Sequence, residues 1–293
     1  MNYGCQSMVG KIESILIKHP EKVFFNQRHL EENYEKFNYI GCPDYEKVLE
    51  EYAEFEEILK KEVAEIHYLP EHQSVGLDSI YAHDSLKVTK KGVIYFSMGK
   101  ELRRNEKTAT EEYLKSVGIP TLGYIEAPGK MEGGDVVWID ERTVAIGRGY
   151  RTNEEGIRQF KNLTKDLIDE YIVVDMPHGE GEDECLHLMS ILSMIDVDLA
   201  VVYSKYMPVV FREFLKQRGI RLLEVEDEEY AYLGCNVLAL APRVCVVIEG
   251  VPEIKRKMEE SGCKVYTYPG KEVSYRGTGG PTCLTAPLKR RQV

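Results

Sequence analysis

The sequence contains no run of about 18 apolar residues, so no helix that crosses a membrane is expected. It has no basic excess: the formal net charge is −11, which disfavours binding to nucleic acid or to an anionic membrane surface. The seven cysteines are scattered without a CxxC pair, a pattern of reduced thiols in a cytoplasmic protein rather than a disulfide framework. Cys185 and His187 form the only close Cys/His pair, and no second pair completes a metal site, so no metal is expected. There is no GxxxxGK[ST] phosphate loop, and Gly147-Arg148-Gly149 does not continue as GxGxxG, so no nucleotide cofactor is expected either. Met1-Asn2-Tyr3-Gly4 lacks the basic-then-apolar order of a secretion signal. No Pro/Gly/Ser-rich linker or charge block interrupts the 293 residues, which read as a single domain spanning residues 1–293.

What is present is a repeated order of elements. Residues 12–18 read as a strand, 45–63 as a helix by their 3.6-residue periodicity, and 65–70 as a strand stopped by Pro70. The polar, aromatic stretch up to Tyr45, with Asn26–Tyr45 as a candidate lid, reads as a loop or flap. A hairpin over 85–97, split at Lys90-Lys91-Gly92, is followed by a helix over 104–117 and a strand over 121–126. The same order recurs: strands 136–139 and 143–147, a helix capped near Thr152-Asn153, and a strand 171–175. It recurs again as strand, helix 208–218 and strand within 197–226, and as strands 237–240 and 244–248, helix 252–261 and strand 264–268. About five such units, each too small to bury both faces of its own sheet, predict an α/β fold in which ββαβ blades pack around a common axis. A doubly wound sheet would instead alternate single strands with helices.

Polar residues fall at the blade entrances. Asp84 precedes the second blade, Glu132-Gly133-Gly134-Asp135 the third and His187 the fourth, while Cys283 follows the fifth in Gly277-Thr278-Gly279-Gly280-Pro281-Thr282-Cys283. Taken singly, each has an ordinary reading: a capped turn, a hydrogen-bonded core histidine, a buried thiol in a tight turn. Arg103 and Arg151 read most simply as surface charges. Convergence of distant residues at one end of one axis is what a catalytic site needs.

These residues resemble the guanidine-modifying superfamily of arginine deiminases, dimethylarginine dimethylaminohydrolases and amidinotransferases, whose five-bladed α/β propeller is called the pentein fold. The resemblance runs from Tyr3-Gly4-Cys5-Gln6-Ser7-Met8 to the C-terminus. It rests on the joint occurrence of Asp78-Ser79-Ile80-Tyr81-Ala82-His83-Asp84, Glu132-Gly133-Gly134-Asp135, Gly149-Tyr150-Arg151-Thr152-Asn153, His187-Leu188 and Cys283. It is greatest with the bacterial dimethylarginine dimethylaminohydrolase group. It implies Cys283 as nucleophile, His187 as general acid/base, and Asp84 and Glu132 as carboxylates that hold the guanidinium. Asp78, Arg103 and Arg151 are implied to hold the amino-acid end of the substrate, with the arginines on its carboxylate, and Asp135 to shape the site. Met189 stands where arginine deiminases carry an aspartate, and His83 where the dimethylarginine enzymes carry a carboxylate next to the guanidinium. The superfamily chemistry implies a covalent thiouronium on Cys283 and a ureido product such as citrulline plus ammonia or an amine, with no cofactor. The expected partner is a small guanidino substrate, and a homodimer is compatible with the resemblance. Amidinotransfer, arginine dihydrolysis to ornithine, and a non-catalytic propeller that binds other macromolecules are the alternatives.

Overall fold

The computed structural model describes residues 3–293. The chain begins with β1 (Ile12–Ile17), then α1 (Gln27–Asn33), α2 (Tyr45–Glu62) and β2 (Glu65–Tyr68). The second unit is β3 (Leu86–Thr89), β4 (Gly92–Tyr95), α3 (Glu106–Ser116) and β5 (Thr121–Tyr124). The third is β6 (Val136–Trp138), β7 (Thr143–Arg148), α4 (Glu154–Thr164) and β8 (Glu170–Asp175). A single turn, α5 (Leu188–Ile191), opens the fourth, with β9 (Leu192–Asp196), β10 (Leu199–Val202), α6 (Val209–Gln217) and β11 (Arg221–Glu224). After α7 (Asp227–Ala231) come β12 (Leu238–Ala241), β13 (Val244–Ile248), α8 (Pro252–Glu260), β14 (Lys264–Tyr268) and the C-terminal β15 (Thr285–Arg290).

These strands form five three-stranded sheets. In β3–β4–β5, β6–β7–β8, β9–β10–β11 and β12–β13–β14 the first two strands are antiparallel and the last two parallel. The helix before each third strand makes the crossover that a parallel pair requires. The fifth sheet has the same pattern but is stitched from both ends of the chain: β15 pairs antiparallel with β1, which pairs parallel with β2.

The arrangement is radial. Lys87 of β3, Trp138 of β6, Ser193 of β9, Ala239 of β12 and Arg290 of β15 all line one narrow cavity, so the first strand of every sheet faces a common axis. All of β3 and β6 is buried, whereas the third strands β2, β5 and β11 are exposed or half-exposed throughout. The helices cover the blades with narrow apolar stripes: Ile157, Phe160 and Thr164 in α4, Phe211 and Leu215 in α6, Ile254 and Met258 in α8. Asn153 caps α4 as its sequence suggests, accepting from Gly156 N at 2.9 Å.

Three elements depart from the sequence reading. The segment up to Tyr45 is not all loop; it holds α1, capped by Asn26. β9 follows α5 without a turn signal, so the hairpin it makes with β10 was read as a single strand. β15 carries Pro287 and the charged Lys289 and Arg290, which hide its strand pattern, yet it is the inner strand of the first blade. Among the described residues no helix is long and apolar enough to cross a membrane.

Candidate active site

Each inner strand is preceded by a residue of the site. Asp84 lies just before β3, Glu132 before β6, His187 before β9, Asn236 before β12 and Cys283 before β15. The fivefold repeat therefore brings five chain segments to one end of the axis. There Asp84, His187, Asn236 and Cys283 line one cavity of roughly 490 Å³, together with Asp78, Lys100, Arg103, Arg151, Cys185 and Met189. Phe37 and Asn38, from the segment after α1, close part of its wall.

Close packing at the entrances accounts for the glycines. A Cβ on Gly134 would lie 2.5 Å from His187 Nδ1, so only glycine lets the Glu132–Asp135 turn pass beneath the imidazole. A Cβ on Gly280 would lie 2.5 Å from the Asn236 side chain. The Gly277–Gly280 stretch thus brings the cysteine loop against neighbouring side chains, and Asn236 fixes it: its Oδ1 accepts from Thr282 N at 3.0 Å and its Nδ2 donates to Cys283 Sγ at 3.2 Å.

His187 and Glu132 form a buried pair, with Nε2 2.7 Å from Oε2. Glu132 is 0% exposed and does not line the cavity; its Oε1 accepts from Gly99 N at 2.8 Å and Lys100 N at 3.2 Å. The resemblance placed Glu132 on the guanidinium, but here it stands behind the imidazole. Burial works against charge on both partners, yet their pairing wins. Glu132 is held down at about 2 against an ordinary 4.5, and His187 is raised well above 6.5 with Cys185, Glu132 and Asp135 outweighing its burial. Glu132 therefore contributes stability that is present above pH 4.5 and is lost as pH falls through about 2. His187 contributes stability that is full below 6.5 and is lost as pH rises through its elevated value. Asp135 also lies behind the cavity, accepting from Leu188 N at 2.9 Å and from the Thr152 hydroxyl at 2.6 Å; burial pushes it up to about 6. It anchors the start of α5 and with it the imidazole.

The Cys283 thiol is pushed up to about 12 by burial, helped by the neighbouring Asp84 carboxylate. Asp84 is itself held below the usual carboxylate range: burial opposes its charge, but Arg103 and His187 prevail. A cation docked against Asp84 would remove the repulsion that adds to burial in keeping Cys283 protonated. Cys185 is a second cavity thiol, its Sγ 3.7 Å from His187 Nδ1. The Cys185/His187 spacing that failed as a zinc motif instead puts both side chains on one wall, and among the described residues no metal-binding cluster exists.

The two arginines differ. Arg103, expected to meet a substrate carboxylate, is 3% exposed and spends its guanidinium inside the protein. It donates to Asp84 Oδ2 and Glu106 Oε1 at 2.8 Å, Glu106 Oε2 at 2.9 Å, Tyr81 O at 3.0 Å and Asp78 O at 3.3 Å. Arg151 makes only long contacts, to Glu132 Oε2 and Glu184 O, both at 3.4 Å. Asp78 is paired with Lys100 at 2.7 Å. His83, expected beside the guanidinium, has both ring nitrogens engaged: Nδ1 with Thr285 O at 2.9 Å and Nε2 with Lys87 Nζ at 2.7 Å. Burial and Lys87 push its pKa down to about 3, so it is neutral.

Comparison with known proteins fits this geometry. The family described as N,N dimethylarginine dimethylhydrolase, eukaryotic, matches residues 19–290. The Pseudomonas aeruginosa dimethylarginine dimethylaminohydrolase is 28% identical over 85% of this chain and 91% of its own length. A structure of the Pseudomonas enzyme in complex with citrulline superposes with a TM-score of 0.74 at 23% identity, covering 95% of this chain and all of that one. An amidinotransferase from Microseira wollei superposes with a TM-score of 0.78 at 16% identity, covering 100% of this chain and 98% of its own. The chain thus belongs to the N,N dimethylarginine dimethylhydrolase family, within the pentein superfamily, and is a hydrolase of guanidino groups.

Proposed function

We propose that the protein hydrolyses the terminal guanidinium of arginine or an N-substituted arginine to citrulline, releasing ammonia or an alkylamine. The observation that carries this reading is the placement of the Cys283 thiol, the Asp84 carboxylate and the Glu132-backed His187 imidazole on one cavity.

The planar N–H fork of the substrate pairs with Asp84. Its positive charge offsets Asp84, so that Cys283 loses its proton to solvent, and Asn236 Nδ2 holds the thiolate in place. Sγ attacks the guanidinium carbon. His187, charged in the free protein, donates its proton to the departing nitrogen, and the C–N bond breaks. The rest of the substrate, its side chain still attached through Nδ, is left on Sγ as a substituted thiouronium. The now neutral imidazole takes a proton from water, the oxygen bonds to the same carbon, and the C–S bond breaks. The hydroxyl of the adduct passes its proton through solvent to the released ammonia or amine, the ureido product leaves, Sγ departs as thiolate, and His187 is again protonated. A positioned acid/base of this kind is worth roughly 10²- to 10⁴-fold. Glu132 and Asp135 act through His187 by setting its charge and orientation. Arg151 and Lys100, which also line the cavity, are the groups for the amino-acid end of the substrate. Asp78 holds Lys100, and Arg103 holds Asp84.

The test is turnover of a panel containing arginine, mono- and dimethylated arginine, agmatine and shorter guanidino acids, scored for every product. Citrulline with stoichiometric amine or ammonia supports the reading. A new guanidine formed from an added amine, or ornithine with carbon dioxide, would replace it with amidinotransfer or dihydrolysis.

A further inference from the structure

The axial cavity lies beneath the active site. His83, Met189 and Thr282 line both cavities and separate them. Two cations reach the axial cavity, Lys87 from β3 and Arg290 from β15, 8% and 7% exposed. Among the described residues neither is paired with a carboxylate. Arg290 gives its Nη1 to two carbonyls, Gly10 O at 2.7 Å and Ala239 O at 2.8 Å, and its Nε has no partner. Lys87 gives one proton to the neutral His83. Two further lining donors, Trp138 Nε1 and the Thr282 hydroxyl, are 2% and 5% exposed and also lack partners. The one acid among the lining residues, Cys5, points its thiol toward Ser7 O at 3.8 Å, and burial pushes its pKa up, so it offers no negative charge. A buried guanidinium without a counter-charge is strongly unfavourable, and each orphaned donor adds to that cost. The cavity measures about 30 Å³, space for one small ion or a water or two.

We propose that this cavity is a binding site for one small inorganic anion of the halide class, held by Arg290 and Lys87 and by the Trp138 and Thr282 donors. Four lining residues with donors to spare, two of them charged, match a monatomic anion. The volume excludes carboxylates of metabolite size. The ion sits one residue from Cys283 along the chain, through Thr282, and braces the inner strands of the blades against mutual repulsion of the cations.

Trp138 is the sole tryptophan and lines this cavity as well as a neighbouring one beside Asp140 and Arg218, so its quenching is read together with the thermal midpoint and the Arg290 variant. Iodide is titrated against gluconate at constant ionic strength. The expected result is saturable quenching, competed by chloride, with a saturable chloride-dependent rise in the thermal midpoint. Arg290→Gln weakens half-saturation by about thirtyfold or more, the loss expected when a buried charge partner is removed. Quenching that grows linearly without saturation, and a midpoint indifferent to chloride, would overturn the proposal in favour of water. If Arg290→Gln does not fold, wild-type crystals soaked in bromide decide: anomalous density between residues 87 and 290 supports the site, and its absence there rejects it.

Discussion

The two arginines of the cavity carry the same group and meet opposite fates. Arg103 is locked by five short contacts to Asp84, Glu106 and two carbonyls, while Arg151 touches its partners only at 3.4 Å. The difference separates scaffold from ligand-facing charge. A guanidinium committed to two buried carboxylates cannot move to a third without leaving Asp84 and Glu106 buried and unpaired. One held only at 3.4 Å has weaker contacts to give up, which is why the proposed mechanism assigns it to the substrate. The same contrast holds around the sulfur: Glu132 is committed behind His187, outside the cavity, while the Cys283 thiol has a single side-chain partner, Asn236.

The sharpest break of this comparison is at the sulfur. Cys283→Ser is expected to lower turnover by at least about 10³-fold with substrate binding retained, measured by steady-state kinetics and calorimetry. Next comes Glu132→Gln. The neutral amide no longer favours the imidazolium, so the alkaline limb of the kcat profile moves to lower pH while kcat falls roughly 10²-fold. A Glu132 with only a packing role would leave that limb in place. The arginines are compared directly: Arg103→Met should cost about 3–5 kcal/mol of stability, because two buried carboxylates lose their partner. Arg151→Met should instead leave the thermal midpoint nearly unchanged. It should raise KM about tenfold or more for guanidines bearing a carboxylate, and far less for agmatine. Equal stability losses in the two variants would erase the distinction. The smallest effect is expected at Asn236→Ala. Loss of one hydrogen bond to sulfur shifts the pH dependence of Cys283 alkylation upward by about one unit or less.

The propeller was legible because hairpin, helix and strand recur with local signals: Lys91-Gly92 turns a hairpin, Asn153 caps a helix, Pro252 opens one. The first blade was not, since its inner strand lies at the far end of the chain and carries Pro287 and two charges. That Cys283, His187 and Asp84 meet on one cavity was legible from their positions at the blade entrances. Their partners were not: whether Glu132 faces substrate or imidazole depends on where Gly99 and Lys100 donate, a contact made across the fold. Arg103 and His83 were placed on the substrate for the same reason, because sequence does not record that Glu106 and Lys87 claim them first. Asn236 carried a readable sign that pattern alone undervalued. It holds the one blade entrance with no other candidate, two residues before β12.

The central claim is that sulfur at 283, and not the neighbouring thiol at 185, attacks the guanidinium carbon. It is tested most directly by acid-quenching the protein during turnover and locating the adduct by peptide mass spectrometry. The account predicts the mass of the substrate less its departed ammonia or amine on the peptide bearing Cys283, absent after Cys283→Ser and retained after Cys185→Ser. The adduct on Cys185 alone, or none on either thiol while product accumulates, would contradict it.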